Sequence, residues 1–313
     1  MKREGFGFLA VLVTLLLGAP HAAGQSEGAC AGRLIDDESV LHGPLCVPEA
    51  PARIVVLDPT FTLGMGLELG LPIVAAPLTG MSDAALKAQA EDAGVADLGP
   101  IFEPSIERIV AEDPDLIIGS GLADMAYPLL SGLAPTVLIS TGNWKPYLQV
   151  LANVTGRSDK AAELLERYEQ RVAELRPRIP STTVSVLRIT SWDFQVFLDG
   201  PHAYGPFAVL HDLGVNRTEY ETATGTESLK RPDWEGLAAL EGDILLYIIG
   251  GANSSDTDGR YEEVLNNPLW KMLPAVEAGR VHRVDAATWM EFSGIASANR
   301  VLDDVERFII DAR

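Results

Sequence analysis

Three features of the sequence predict an α/β fold of two lobes joined by a single long helix, with a ligand cleft between them. Short apolar strands alternate with amphipathic helices in two blocks, the pattern of parallel sheets covered by helices. A densely charged helical stretch separates the blocks. A segment of the first block also recurs in the second without a gap: Pro104, Glu107 and Asp115 return as Pro232, Glu235 and Asp243, at a constant offset of 128. The apolar positions between them superpose, so the two blocks share one architecture. Any helix leading into a parallel strand resembles this, but three identities in register favour a true structural repeat.

In the first block, residues 53–57 read as a strand, followed by a helix spaced by Gly64, Gly66 and Gly70. Residues 72–76 form the next strand, a helix covers 105–112, and strands at 115–119 and 136–140 close the block. The helical stretch runs from about 146 to 176, with Ala161, Leu164, Leu165, Tyr168 and Val172 at helical spacing. Pro177 and Pro180 stop it. The second block predicts strands at 184–190 and 195–198, helices at 206–213 and after Pro232, strands at 243–249 and 280–284, and a terminal helix over 294–310. The expected organisation is an N-terminal lobe at 25–141, a linking helix within 142–180 and a C-terminal lobe at 181–313.

Residues 1–24 read as an address. Lys2 and Arg3 precede the apolar run 8–17, and Ala22, Ala23 and Gly24 offer small residues for cleavage, the order of a secretory signal peptide. The run is too short to span a bilayer, which disfavours the other reading, a signal anchor. Cleavage after Gly24 removes one net positive charge and takes the chain from −20 to −21. Export would permit a disulfide between Cys30 and Cys46, contributing on the order of 3 kcal/mol; two unpaired thiols is the alternative. Cys30 lies well beyond the apolar run and does not read as a lipid-attachment site.

Charge excludes some partners. With 44 acidic and 24 basic residues and a pI near 4.6, no basic stripe exists to bind nucleic acid or an anionic membrane surface. Two cysteines and five scattered histidines leave no thiolate or histidine metal site. The sequence has no GxSxG elbow, no phosphate-binding glycine loop and no HExxH, so no common enzyme signature is present. What remains is a group of aromatic, polar and arginine residues at strand ends, where open α/β sheets place ligands. They are Thr60, Phe61 and Trp144 in the first block, and Arg188, Trp192, Phe194, Tyr204, Trp289 and Met290 in the second. Such rings give rigid amphipathic surface at low entropic cost. Each ring could equally be core; as a group they point to a pocket. Glu107 and Glu235 fall in the first turn of their helices, where a carboxylate gains about 0.3–1 kcal/mol from the helix dipole. The second reading of this matched pair is docking onto a basic partner.

Four segments in order carry a family resemblance: 47–56 (beginning Val47, Pro48, Glu49), 103–118, 267–281 (Asn267, Pro268, Trp270, Gly279, Arg280) and 289–304 (Trp289, Gly294, Asn299, Arg300, Asp304). On these the sequence resembles the periplasmic substrate-binding proteins of iron–siderophore, haem and cobalamin ABC importers. The resemblance implies two Rossmann-like lobes bridged by a single long helix, little hinge motion, no catalysis, and a monomer that serves a permease dimer. It places Glu107 and Glu235 at permease arginines, and Arg188, Trp192 and Trp289 on cleft-lining segments. Ferric iron would enter only inside its chelator, so the protein needs no cofactor or metal site. Gly242 stands where the family usually has proline. Because Arg188 alone stands out as a cleft cation, the expected cargo leans to a hydroxamate or mixed siderophore. Cobalamin remains open, as does haem, with His202 and Tyr204 as the candidate axial ligands. An exported α/β enzyme is the alternative of another class.

Overall fold

The computed structural model describes residues 30–100, 103–140, 142–251 and 253–311; the expected signal peptide lies outside them. A small antiparallel pair, β1 (Arg33–Ile35) with β3 (Leu45–Val47), precedes the first lobe, and β2 (Val40–Leu41) joins the edge of its sheet. That lobe then alternates β4 (Ile54–Val56), α1 (Phe61–Glu68), β5 (Ile73–Ala76), α2 (Ala84–Asp92), β6 (Ala96–Asp97), α3 (Ile106–Ala111), β7 (Leu116–Ser120), α4 (Tyr127–Leu130) and β8 (Thr136–Ile139). Its strands lie in the order β2-β8-β7-β4-β5-β6, all parallel except β2.

Two helices occupy the segment between the two sheets, α5 (Trp144–Thr155) and α6 (Ser158–Leu175). The single helix expected over 146–176 is therefore interrupted. Gly156 adopts a left-handed conformation (φ 69°), and its amide closes α5 onto Ala152 and Asn153. Glycine enters this region without the steric cost other residues meet. α5 packs on α1 and β8 of the first lobe, whereas α6 packs on helices of the second, so α6 alone forms the bridge.

The second lobe contains β9 (Val184–Ile189), β10 (Phe194–Phe197), α7 (Gly205–Leu213), β11 (Leu229–Lys230) and β12 (Ile244–Ile248). It continues through α8 (Arg260–Asn266), α9 (Pro268–Lys271), α10 (Pro274–Glu277), β13 (Val281–Val284), α11 (Ala286–Met290) and α12 (Ile295–Val305). The sheet order is β11-β10-β9-β12-β13, with β9, β12 and β13 parallel.

The internal repeat has a physical basis. Asp115 accepts the amides of Ala52 and Arg53 at 2.7 and 3.0 Å, tying the head of β7 to that of β4. Asp243 accepts the amide and hydroxyl of Thr183 at 2.8 and 3.0 Å, tying β12 to β9 in the same way. The helix expected after Pro232 differs: only a single 3₁₀ turn, Gly236–Ala239, forms there, and Glu235 precedes it. Asp233 caps the Gly236 amide at 2.8 Å, but glycine disfavours propagation and only a few residues remain before β12. The helix-dipole reading thus holds for Glu107, in the first turn of α3, and not for Glu235.

One apolar cluster runs from Ile35 and Val56 through Trp144 and Tyr168 to Phe207, Trp289 and Ile309, so the lobes share a core. β9 contributes Val184 and Val186 to it and turns Leu187 and Ile189 to a second cluster on the outer face. Burial on both faces is what a central parallel strand requires.

Candidate functional site

The C-terminal ends of the strands in both lobes carry the candidate site. After β9 the chain reverses tightly: the Thr190 amide donates to the Asp193 carbonyl at 3.1 Å, and Thr190 Oγ1 accepts the amides of Trp192 and Asp193 at 3.3 and 3.0 Å. This turn holds the Trp192 ring out, 59% exposed. Arg188, at the end of β9, is half-buried. Its Nη1 donates to Gln195 Oε1 at 3.2 Å and its Nη2 to the Gly250 carbonyl at 3.1 Å. Gln195 Nε2 in turn donates to Asp193 Oδ1 at 3.3 Å, and Asp193 Oδ2 pairs with Arg231 Nη1. The Arg231 guanidinium lies over the Trp192 ring, 5.1 Å from its centroid. Burial lowers the Arg188 pKa, and neighbouring Arg231 lowers it further. Arg231 was not read from the sequence. It follows the two-residue strand β11, which has no periodicity to find.

Several expected ligand rings lie elsewhere. Trp144 and Trp289 are fully buried, and Phe194 is 2% exposed. Trp144 packs edge-on to Tyr168 at 5.1 Å and against Phe292 at 5.7 Å. Trp289 donates its indole N–H to Asp304 at 2.7 Å, and Phe194 sits between Trp234 and the Arg260 guanidinium. These three rings are core, not cleft surface, because the sheet faces and the shared cluster need their volume. Phe61 and Met290 are partly buried against the same core, and Phe61 meets Phe292 of the other lobe edge-on at 6.3 Å. Thr60 is tied to Asp58, which accepts its amide and hydroxyl at 2.8 and 2.6 Å; burial raises the Asp58 pKa. Tyr204 donates to the Met290 carbonyl at 2.9 Å, and burial pushes its phenol up to about 12.

The lobes meet through carboxylates as well as rings. Glu68 of α1 accepts the amides of Ile295 and Ala296 at 3.0 and 2.6 Å, capping α12 of the other lobe. Glu291 reciprocates, accepting the amides of Ser82 and Asp83 at 2.9 and 2.6 Å ahead of α2. Asp83, nearly buried, also pairs with Arg300 at 2.9 Å. Carboxylates at helix N-termini are favoured by the exposed amides and the dipole. A void of about 50 Å³ remains among Pro59, Thr60, Met81, Asp83, Leu86 and Glu291.

A larger concavity, about 620 Å³, opens beside the start of α5 and α7, lined by Asn143, Lys145, Asp199, His211, Asp212 and Thr222 among others. None of the expected ligand residues lines it. Its Lys145 is already held by Glu169 and Asp212, at 2.7 and 2.9 Å. On the first lobe, the turn Gly121–Ala126 after β7 exposes Leu122 (86%) and Met125 (98%), neither of which was read as a site residue. Glu107 and Glu235 are both exposed. Among the described residues no cluster of three or more His, Cys, Asp or Glu is arranged to hold a metal ion, and no helix is long and apolar enough to cross a membrane. Neither cysteine is a free thiol.

Two α/β lobes, a single bridging helix and a polar-aromatic cluster at the strand ends define a binding protein. The chain matches the periplasmic binding protein family over residues 54–288 and belongs to it. It is 30% identical over 280 residues to the probable siderophore-binding lipoprotein YfiY of Bacillus subtilis (strain 168), covering 85% of each chain. It is 32% identical over 224 residues to the achromobactin-binding periplasmic protein of Dickeya dadantii (strain 3937), covering 69% of this chain and 72% of that one. The fold also superposes on the triscatecholate siderophore-binding protein FeuA of Bacillus subtilis, solved with ferri-bacillibactin. That match has a TM-score of 0.72 at 21% identity and covers 88% of this chain and 97% of that one.

Proposed function

We propose that this protein captures a ferric siderophore outside the cytoplasmic membrane and delivers it to the permease dimer of an ABC importer, without catalysing a reaction. The carrying observation is the cluster of Arg188, Trp192 and Arg231 at the strand ends of a two-lobed binding protein. The names of its relatives, a siderophore-binding lipoprotein and an achromobactin-binding protein, support the same reading. A siderophore supplies the oxygen ligands to iron, so the protein recognises a wrapped complex and needs no metal ligands of its own. We read residues 1–24 as a cleaved signal peptide, the mature chain as a soluble monomer, and Cys30 and Cys46 as bonded to each other.

Tryptophan fluorescence titrated with a panel of ferric siderophores tests the reading. Saturable quenching by at least one chelate is expected, since Trp192 is exposed beside the site; no quenching by any of them would overturn it. Haem is disfavoured because Tyr204, a candidate axial ligand, is committed to the Met290 carbonyl and its phenol is pushed away from ionisation. Glu107 and Glu235 are read as the two permease-docking charges. Glu107→Ala combined with Glu235→Ala should abolish uptake in cells while leaving chelate affinity within about twofold, since exposed charges contribute little to the fold itself.

A further inference from the structure

In an open α/β sheet the crevice for a ligand lies where the strand order reverses, beyond the carboxyl ends of the strands. The first sheet reverses between β4 and β7: the chain runs on from β4 to β5 and β6 on one side and from β7 to β8 on the other. Asp58, just past β4, stands at that point. It accepts the amide and hydroxyl of Thr60 at 2.8 and 2.6 Å, and the Ser120 hydroxyl at the end of β7 and the Phe61 amide also favour its charge. These groups are all neutral donors, and among the described residues no basic side chain joins them. Tyr204 of the second lobe interacts electrostatically with Asp58, and Tyr147 of α5 does so from its own lobe. Burial pushes both phenols up, Tyr204 to about 12, so both stay neutral near pH 7. Asp83 and Glu291 lie across the small void beside Thr60, already committed to Arg300 and to the amides ahead of α2. Asp58 itself keeps partial exposure, an acid set at the crevice between the lobes.

We infer that a ferric chelate seated in the cleft covers Asp58 and is bound together with a proton taken up there, so that the carrier's grip loosens as the pH rises. The inference rests on the siderophore reading above. Two effects act in the same direction. Covering Asp58 removes its remaining water, and desolvation disfavours the charged carboxylate. The surface of an oxygen-donor chelate is also rich in hydrogen-bond acceptors. These repel a carboxylate, whereas a protonated carboxyl offers them an O–H donor. In the free protein, burial already raises the Asp58 carboxyl above its ordinary range, against the pull of its donors. Cargo raises it further. Affinity is then highest and level below the free-state pKa. It falls as pH rises through the interval between the free and loaded values, and levels off above it.

The test is a fluorescence titration across a pH series with a neutral ferric trishydroxamate, ferric dicitrate and a ferric tricatecholate. It compares the wild-type protein with Asp58→Asn and Glu68→Gln. Each chelate that binds should do so about tenfold more weakly at about pH 8 than at about pH 5, the effect of displacing one pKa by about one unit. Asp58→Asn should remove that fall, and its comparison with the wild type subtracts any titration of the chelate itself. Glu68→Gln, which removes the lobe-interface carboxyl raised to about 7, should keep the wild-type fall. Calorimetry of the wild type in two buffers of different ionisation heat should show proton uptake on binding. That measurement needs no variant, so a misfolded Asp58→Asn does not remove the test. Wild-type affinity that is level or rises with pH overturns the inference, as does proton release on binding. A fall that persists in Asp58→Asn or disappears in Glu68→Gln overturns it too; in each case the siderophore reading stands. Failure of every ferric chelate to bind overturns both.

Discussion

At the scale of single residues, two tryptophans at equivalent-looking places after strands have opposite fates. Trp289 is fully buried, and its indole N–H is satisfied by Asp304; Trp192 stands out of a turn closed by Thr190. Trp289→Ala should therefore cost about 3–5 kcal/mol in denaturant unfolding, the range for removing a large core ring. Trp192→Ala should leave stability within about 0.5 kcal/mol and abolish most of the quenching by bound chelate. Loss of stability in Trp192→Ala without loss of quenching would reverse the assignments. The sequence placed both rings at strand ends but could not say which way each faces. Orientation is set by residues far along the chain: Asp304 draws one ring inward, and Arg231 lies over the other. Arg188 was legible because a lone arginine in an apolar strand stands out, whereas Arg231 and Gln195 matter only through contacts.

Among elements, eight strands were legible nearly to the residue, since β4, β7, β9, β12 and their like are short apolar runs bounded by turn signals. The two- and three-residue strands β1, β2, β3, β6 and β11 carry no such pattern and were not read. The repeat also carried over, because Asp115 and Asp243 perform the same tie at the head of a strand pair. Helices were less legible where backbone conformation decides. Leu148, Leu151, Ala161 and Leu164 continue a helical pattern across Gly156, and the pattern hid the break. Gly156 turns left-handed, and an added methyl would lie 2.8 Å from the Arg33 guanidinium. Gly156→Ala should cost about 1–2 kcal/mol, the penalty for a side chain in that region, read as a lower denaturant midpoint with an unchanged slope. An unchanged midpoint would show that the break does not need glycine.

At the scale of the whole molecule, the lobes share one apolar cluster and exchange carboxylates, so unfolding should be a single transition seen alike by tryptophan fluorescence and far-UV dichroism. Glu68 gives this interface a pH signature. Burial raises its carboxyl from the ordinary 4.5 to about 7, against the pull of the Ala296 and Ile295 amides. A folded pKa above the unfolded one means the contribution is fully present below pH 4.5 and is lost as pH rises through about 7. Up to about 3 kcal/mol of stability should therefore disappear across that window. Glu68→Gln should flatten the slope; an unchanged slope would assign it to other groups.

The crossed caps also bear on how cargo leaves. Pulling the lobes apart would strip acceptors from the amides of Ser82, Asp83, Ile295 and Ala296 and separate Asp83 from Arg300. At about 0.5–1.5 kcal/mol for each bond, that is several kcal/mol of work before the shared core is disturbed. Thermal agitation would open such a carrier only rarely. On the proposed delivery to a permease, unloading becomes a mechanical task, suited to a partner that grips both lobes at once.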